Sequence, residues 1–352
     1  MEYVKLKNTD ISVSRLCMGG CPMGGYGWGY VSENAVIATV HCAIDGGVNF
    51  FDTADTYGLG QSERTLAKAI EGRRDKVVIA TKFGVRVEKG KTTYDNSPEY
   101  IAKALNDSLK RLSTDYIDLY QIHYRDKSTP LDAVVEVLER FKEQGKIRCY
   151  GLSNIHGEAF NEVTPFLGKF VSCQNEYSLV ARDNENDLLV NCSSLQLTPI
   201  TWGSLGQGVL TGKYNVDSGF GVNDRRSRDI YTNFHGDKLR KNVEIVEKMK
   251  ALAEKYGVPL AALAVRFILD YIPDSVALVG AKNPSQIQGT MASMDFRLSK
   301  EELEFLENII VRRSMIIEGI LVKSAGCIHL ACCLQFSDTP TPMIGQPSRP
   351  SL

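Results

Sequence analysis

Four polar residues in this 352-residue sequence each close or follow a short apolar run: Asp52 ends Asn49–Asp52, Tyr57 lies in the loop beyond it, Lys82 follows Val77–Thr81, and His123 comes soon after Tyr116–Tyr120. Singly, each has an ordinary explanation. An Asp at a strand end commonly caps a helix, a Tyr in a glycine-bearing loop is commonly surface, and a His after a strand is more often structural than catalytic. Together they describe one chemistry. A carbonyl that receives hydride develops an alkoxide that needs a proton, and a phenol with a pKa of about 10 is too weak an acid unless its anion is stabilised. The ammonium of Lys82, held near the Tyr57 oxygen, would lower that pKa, and the carboxylate of Asp52 would offset the burial of the cation. His123 would hydrogen-bond the carbonyl oxygen and fix its direction.

Such a set works only if the ends of separate elements converge. The chain opens as a hairpin, Tyr3–Lys7 and Ile11–Ser14 about a turn at Asn8-Thr9-Asp10, and apolar runs then alternate with amphipathic ones. The runs predicted as strands are Leu16–Met18, Asn49–Asp52, Val77–Thr81, Tyr116–Tyr120, Ile147–Leu152, Val171–Gln174, Thr198–Trp202 and Val276–Val279. Helical patterns between them include Glu33–Ile44, Ser62–Ile70, Pro98–Leu112 and Leu131–Gln144, with Ser97-Pro98 and Gly145 as start and stop signals. Eight strands, each followed by helix-forming sequence, predict an α/β fold: a (β/α)8 TIM barrel with the N-terminal β-hairpin capping its bottom. A doubly wound sheet is the rival, weakened by the lack of G-x-G-x-x-G after the first strand. The aperiodic stretch from Leu205 to about Asp237 fits a long loop at the catalytic mouth. Residues 1–319 are expected to form a single barrel, with 320–352 a cysteine-rich and then Pro/Ser-rich tail, partly disordered.

Composition narrows the partners. With 41 basic and 42 acidic residues the formal net charge is -1, so no global field draws in nucleic acid or anionic membrane. A small molecule is the expected partner. The first apolar stretch contains charges and no run of about 18 apolar residues follows, so a cytoplasmic protein is expected. Nine cysteines without paired C-x-x-C blocks point to a reducing compartment and to small buried hydrophobes rather than to zinc or a catalytic thiol. Five histidines without H-x-H or H-E-x-x-H argue against a metal-dependent hydrolase, and no metal is expected.

The segments NFFDTADTYGLGQSE, TKFG, LKRLSTDYIDLYQIH and GKIRCYGLSN resemble the aldo-keto reductases in order and spacing, from Tyr3 to about Asn308. That resemblance implies a (β/α)8 barrel, NADPH/NADP+ as cofactor, a carbonyl substrate, Tyr57 as general acid, and Asp52, Lys82 and His123 in support. It implies further that Ser153, Asn154 and Gln174 bind the nicotinamide carboxamide, that Trp202 stacks on the ring where Tyr is usual, and that Ser204, Leu205 and Gln207 line the pyrophosphate. Trp202 could equally fill the barrel's upper layer, although the polar WGSLGQG run favours the mouth. Gly280-Ala281-Lys282-Asn283 and Gln286 fall where the family holds the adenosine 2'-phosphate; Lys282 is the cation that would favour NADPH, while Gln286 stands where many members have Arg and Thr290 where many have Asn. GSLGQGVLTGKY, VRFILD and ALVGAKNPSQI are most similar to bacterial stress-type and sugar-linked reductases. A cofactor-binding sensor with little turnover, as among potassium-channel β subunits, is the alternative, which the complete set of four residues argues against. Substrate, direction of reaction and oligomeric state are open at this stage.

Overall fold

The computed structural model describes residues 1–25 and 27–311. The expected tail at 320–352, like Tyr26, lies outside the described residues.

Eight strands close a parallel barrel in chain order: β1 (Leu16–Gly19), β2 (Phe50–Asp52), β3 (Val78–Phe83), β4 (Ile117–Ile122), β5 (Ile147–Ser153), β6 (Phe170–Glu176), β7 (Thr198–Trp202) and β8 (Val276–Gly280), with β8 pairing β1. The closed order excludes the doubly wound sheet. Apolar side chains cover both faces of these strands, as a barrel wrapped by helices requires. The interior has two levels. Leu6, Ile11 and Val13 of the opening hairpin pack with Phe50, Leu119, Cys149, Val171 and Ile200 in an apolar plug at the bottom, and Lys7 N–H donates to Thr198 Oγ1 at the start of β7 (2.9 Å). Above the plug lies a polar layer at the carboxyl ends of the strands: Asp52, Lys82, Gln121 and Gln174, each at most 2% exposed.

The outer ring begins with α1 (Glu33–Asp45), α2 (Gln61–Ala69), α3 (Pro98–Leu112) and α4 (Leu131–Glu143). Ser32 and Ser97 cap α1 and α3 by accepting from Ala35 N–H and Tyr100 N–H, and Gly145 takes a positive φ of 70° just after α4. After β5 the expected helix is absent. Only short 3-10 turns at Gly157–Glu162 and Thr164–Phe166 fit between β5 and β6, because Gly157, Pro165 and Gly168 interrupt any longer run. The ring finishes with α5 (Gly236–Tyr256), α6 (Leu260–Tyr271), α7 (Pro284–Met291) and α8 (Lys300–Val311). A second hairpin, Val85–Glu88 with Lys91–Tyr94, rises from the end of β3. Its two-residue turn, Lys89-Gly90, has positive φ at both positions, a geometry more often signalled by Asn-Gly.

Candidate active site

The register of the barrel brings the four proposed catalytic residues together at one end. Asp52 is the last residue of β2, and Lys82 on β3 pairs in register with Gln121 on β4. Lys82 Nζ donates to Asp52 Oδ1 (2.5 Å) and to the Thr53 carbonyl (3.0 Å), and lies 3.4 Å from Tyr57 Oη. The His123 ring meets the Tyr57 ring edge-on, with centroids 6.0 Å apart. An ion pair this deeply buried persists only when its remaining valences are filled. Gln121 and Gln174 do so, both donating from Nε2 to Asp52 Oδ2 (3.0 and 2.8 Å).

Electrostatics assigns protonation states. The Tyr57 hydroxyl is pushed well above the ordinary phenol range, chiefly by burial, with Cys21 and Asp52 adding to the rise and Arg225 opposing it. Lys82 is not among the largest influences on it. The raised value keeps the proton on the phenol in the free protein. Burial, and then the nearby Lys82 charge, hold His123 well below the usual imidazole range, so it is neutral. Its Nδ1 is buried without a protein partner.

The residues expected to hold the nicotinamide gather beside this set. Ser153 and Gln174 pair in register on β5 and β6, and Ser153 Oγ donates to the Gln174 carbonyl (2.9 Å). Asn154, at φ 52°, donates from Nδ2 to the His123 carbonyl (3.0 Å) and to Ser153 Oγ (3.1 Å). Trp202 Nε1 donates to Asn154 Oδ1 (3.1 Å), which fixes the indole at the mouth rather than inside the barrel's upper layer.

The phosphate-lining residues are placed less directly. Ser204 Oγ bonds inward to the Leu278 carbonyl, and Leu205 packs against the core. Gln207 donates to Glu176 Oε1 (2.6 Å) and accepts from Asn233 Nδ2 (2.8 Å), so both ends of its amide already have protein partners. Its φ of 54° between Gly206 and Gly208, both also positive, makes a tight left-handed turn. On the other side Gly280 ends β8, and an added Cβ there would meet Pro22 Cγ at 2.9 Å. Asn283 caps α7 by accepting from Gln286 N–H (3.1 Å), and Gln286 Oε1 accepts from Lys282 N–H (2.8 Å). Lys282 Nζ reaches the Trp28 carbonyl (2.7 Å). Its pKa is lowered by burial and by the charges of Arg226 and Lys213, with Asp224 opposing. Lys282, just before the first turn of α7, thus feels the charges of Lys213 and of Arg226, which is itself paired with Asp224, a cationic corner suited to a polyanion.

Sequence reasoning missed several participants. Gln121 stands out only as the one amide in the apolar run LYQI, and Arg226 and Lys213 lie on irregular chain that periodicity does not reach. Asp55, two residues before Tyr57, has a buried Oδ1 with no hydrogen-bond partner and is pushed up to about 7 by burial and by Glu63, against Arg111. Tyr124 stacks on His123 with centroids 5.1 Å apart, and Tyr94 of the second hairpin lies 5.2 Å beyond it. Opposite, the Trp28 ring meets Tyr231 edge-on. Of the described cysteines, Cys17, Cys149, Cys173 and Cys192 are buried, while Cys21, partly exposed, accepts from Trp28 Nε1 (3.2 Å).

A closed parallel barrel with an Asp, Tyr, Lys and His at the carboxyl ends of its strands is the architecture of a carbonyl-acting oxidoreductase. The chain belongs to the aldo/keto reductase family, whose model matches residues 15–311. It is 34% identical to aldo-keto reductase YhdN of Bacillus subtilis over 316 residues, spanning 88% of this chain and 94% of that protein. Its structure is similar to that of the glycerol dehydrogenase AKR11B4 from Gluconobacter oxydans (TM-score 0.81, 32% identity, covering 92% of this chain and 99% of that one). It also resembles an aldo/keto reductase from Klebsiella pneumoniae solved in complex with NADP and acetate (TM-score 0.68, 25% identity, 88% and 96% covered). Among the described residues, no helix is long and apolar enough to cross a membrane, and no group of three or more His, Cys, Asp or Glu is placed to hold a metal ion.

Proposed function

We propose that this chain reduces aldehydes or ketones to alcohols with NADPH, and that Tyr57 delivers the proton. One observation carries the reading: the Tyr57 phenol lies 3.4 Å from a lysine that is itself held on a buried aspartate. NADPH, when bound, supplies the hydride. Tyr57 holds the proton at Oη, and its raised pKa keeps that proton in place until an alkoxide forms nearby. Lys82 stabilises the phenolate that remains, and Asp52, with two glutamine amides on its other oxygen, keeps the lysine aimed. Neutral His123 donates to the carbonyl oxygen and sets its direction.

The residues fit this cofactor. Ser153, Asn154 and Gln174 suit a carboxamide, the Trp202 indole suits a ring face, Ser204, Leu205 and Gln207 form the turn proposed for the pyrophosphate, and Gly280, Lys282 and Gln286 border the cationic corner proposed for a 2'-phosphate. The aromatic walls formed by Trp28, Tyr231, Tyr124 and Tyr94 suit a planar or sugar-like carbonyl compound. Similarity to a glycerol dehydrogenase adds small hydroxylated aldehydes to the substrate panel. The test follows NADPH absorbance with glyceraldehyde, aldoses, pyridoxal and 4-nitrobenzaldehyde. Turnover by the wild type is expected to be lost in Tyr57→Phe, with NADPH binding retained; equal turnover by both proteins would reject the assignment.

A further inference from the structure

Near the Asp52–Lys82 pair lies a second ion pair, with a buried carboxylate and a partly exposed arginine, that the reaction as described does not use. Glu63, in the first turn of α2, is 0% exposed. Its Oε2 accepts from Arg111 Nε of α3 (2.5 Å), and its Oε1 accepts from Thr81 Oγ1 (2.7 Å). Thr81 immediately precedes Lys82. The neighbouring Ser62 is equally connected: its Oγ donates to the Gly20 carbonyl (2.7 Å) and shares a hydrogen bond with Thr53 Oγ1 (2.7 Å), while its N–H donates to the Tyr57 carbonyl (3.1 Å). Thr53 in turn follows Asp52, and its own carbonyl receives Lys82 Nζ. Two consecutive residues therefore hold the backbone of the acid and the chain positions next to both members of the catalytic ion pair.

A buried carboxylate that only packs α2 against α3 would need its second oxygen satisfied by any nearby donor, and an apolar pair of similar volume would serve stability as well. Here one of its oxygens is committed to the strand that carries Lys82. Because a separation error of a few tenths of an ångström matters in proton transfer, the attachment bears on rate rather than on cofactor binding. We propose that Glu63, held by Arg111, is a positioning residue: through Thr81 and the first turn of α2 it fixes the distance between Lys82 Nζ and Tyr57 Oη. The inference rests on Tyr57 being the acid.

The experiment compares Thr81→Val, Thr81→Ser, Glu63→Gln and the double variant Thr81→Val/Glu63→Gln, using NADPH and the best carbonyl substrate of the panel. Thr81→Val removes one hydroxyl and is the variant least prone to misfolding. It is expected to lower kcat about tenfold and raise the solvent deuterium isotope effect on kcat, as proton transfer becomes limiting, while the NADPH Kd changes less than twofold. Thr81→Ser keeps the hydroxyl and is expected to retain the wild-type kcat. The double variant should be no slower than the slower single one, because both changes break the same link. The proposal is overturned if Thr81→Val lowers Tm without changing kcat or its isotope effect, or if kcat and NADPH affinity fall together. Wild-type turnover that does not depend on Tyr57 would instead fault the reading beneath it, whereas Tyr57-dependent turnover that is indifferent to Thr81 and Glu63 would sink this inference alone.

Discussion

Replacing Asp55 by Asn should stabilise the protein by an amount that grows with pH. The carboxyl sits between Glu63, which repels its charge, and Arg111, which attracts it; the Thr56 N–H and the more distant Lys82 also favour ionisation, but burial outweighs them and moves the pKa from 3.8 to about 7. An acid whose pKa is raised by folding stabilises the fold fully below its unfolded value, and that contribution is lost as pH climbs to the folded value. At about 1.36 kcal/mol per pH unit, the penalty on the wild type reaches a ceiling of about 4 kcal/mol by pH 8, against about 2 kcal/mol at pH 5. Part of the residue reaches solvent, which roughly halves the ceiling, so the advantage of Asp55→Asn should widen by about 1 kcal/mol over that interval. Urea unfolding at pH 5, 6, 7 and 8 measures it, provided the m-value stays constant. A difference between variant and wild type that stays flat across the four pH values would refute the reasoning.

Two further outcomes test the cofactor corner. Lys282→Ala should weaken NADPH binding by roughly tenfold or more and NADH binding by less than twofold, since a charge-assisted hydrogen bond contributes about 1.5–3 kcal/mol; equal losses in fluorescence titrations would remove Lys282 from the phosphate site. Trp202→Phe keeps a ring but deletes the indole N–H held by Asn154 Oδ1, and a lost hydrogen bond of about 1 kcal/mol should raise the NADPH Kd roughly fivefold. An unchanged Kd there would mean that Asn154 needs no such anchor.

The strands could be read from the sequence because each is a short run of buried side chains bounded by turn signals, and their observed limits differ from the runs by a few residues at most. The helix expected after β5 failed because Gly157, Pro165 and Gly168 act locally, whereas the alternation of strand and helix is a statement about the whole chain. The exposed hairpin at 85–94 failed for the opposite reason: with seven of its eight strand residues exposed, it leaves no apolar alternation to detect. At the site, residue types and spacing pointed to Asp52, Tyr57, Lys82 and His123, but not to the rise of the Tyr57 pKa, which comes chiefly from burial by parts of the chain far apart in sequence. Glu63 and Gln121 stayed hidden because a polar residue next to a strand end looks the same whether it faces water or a buried partner.

The plug built by Leu6, Ile11 and Val13 makes the cylinder blind at one end. Any ligand that reaches the polar layer must therefore approach from the opposite end. That end also carries an aromatic rim that includes Trp28, Tyr124 and Tyr231. Variation confined to that rim can then change what is admitted while the sealed base keeps the eight strands in register.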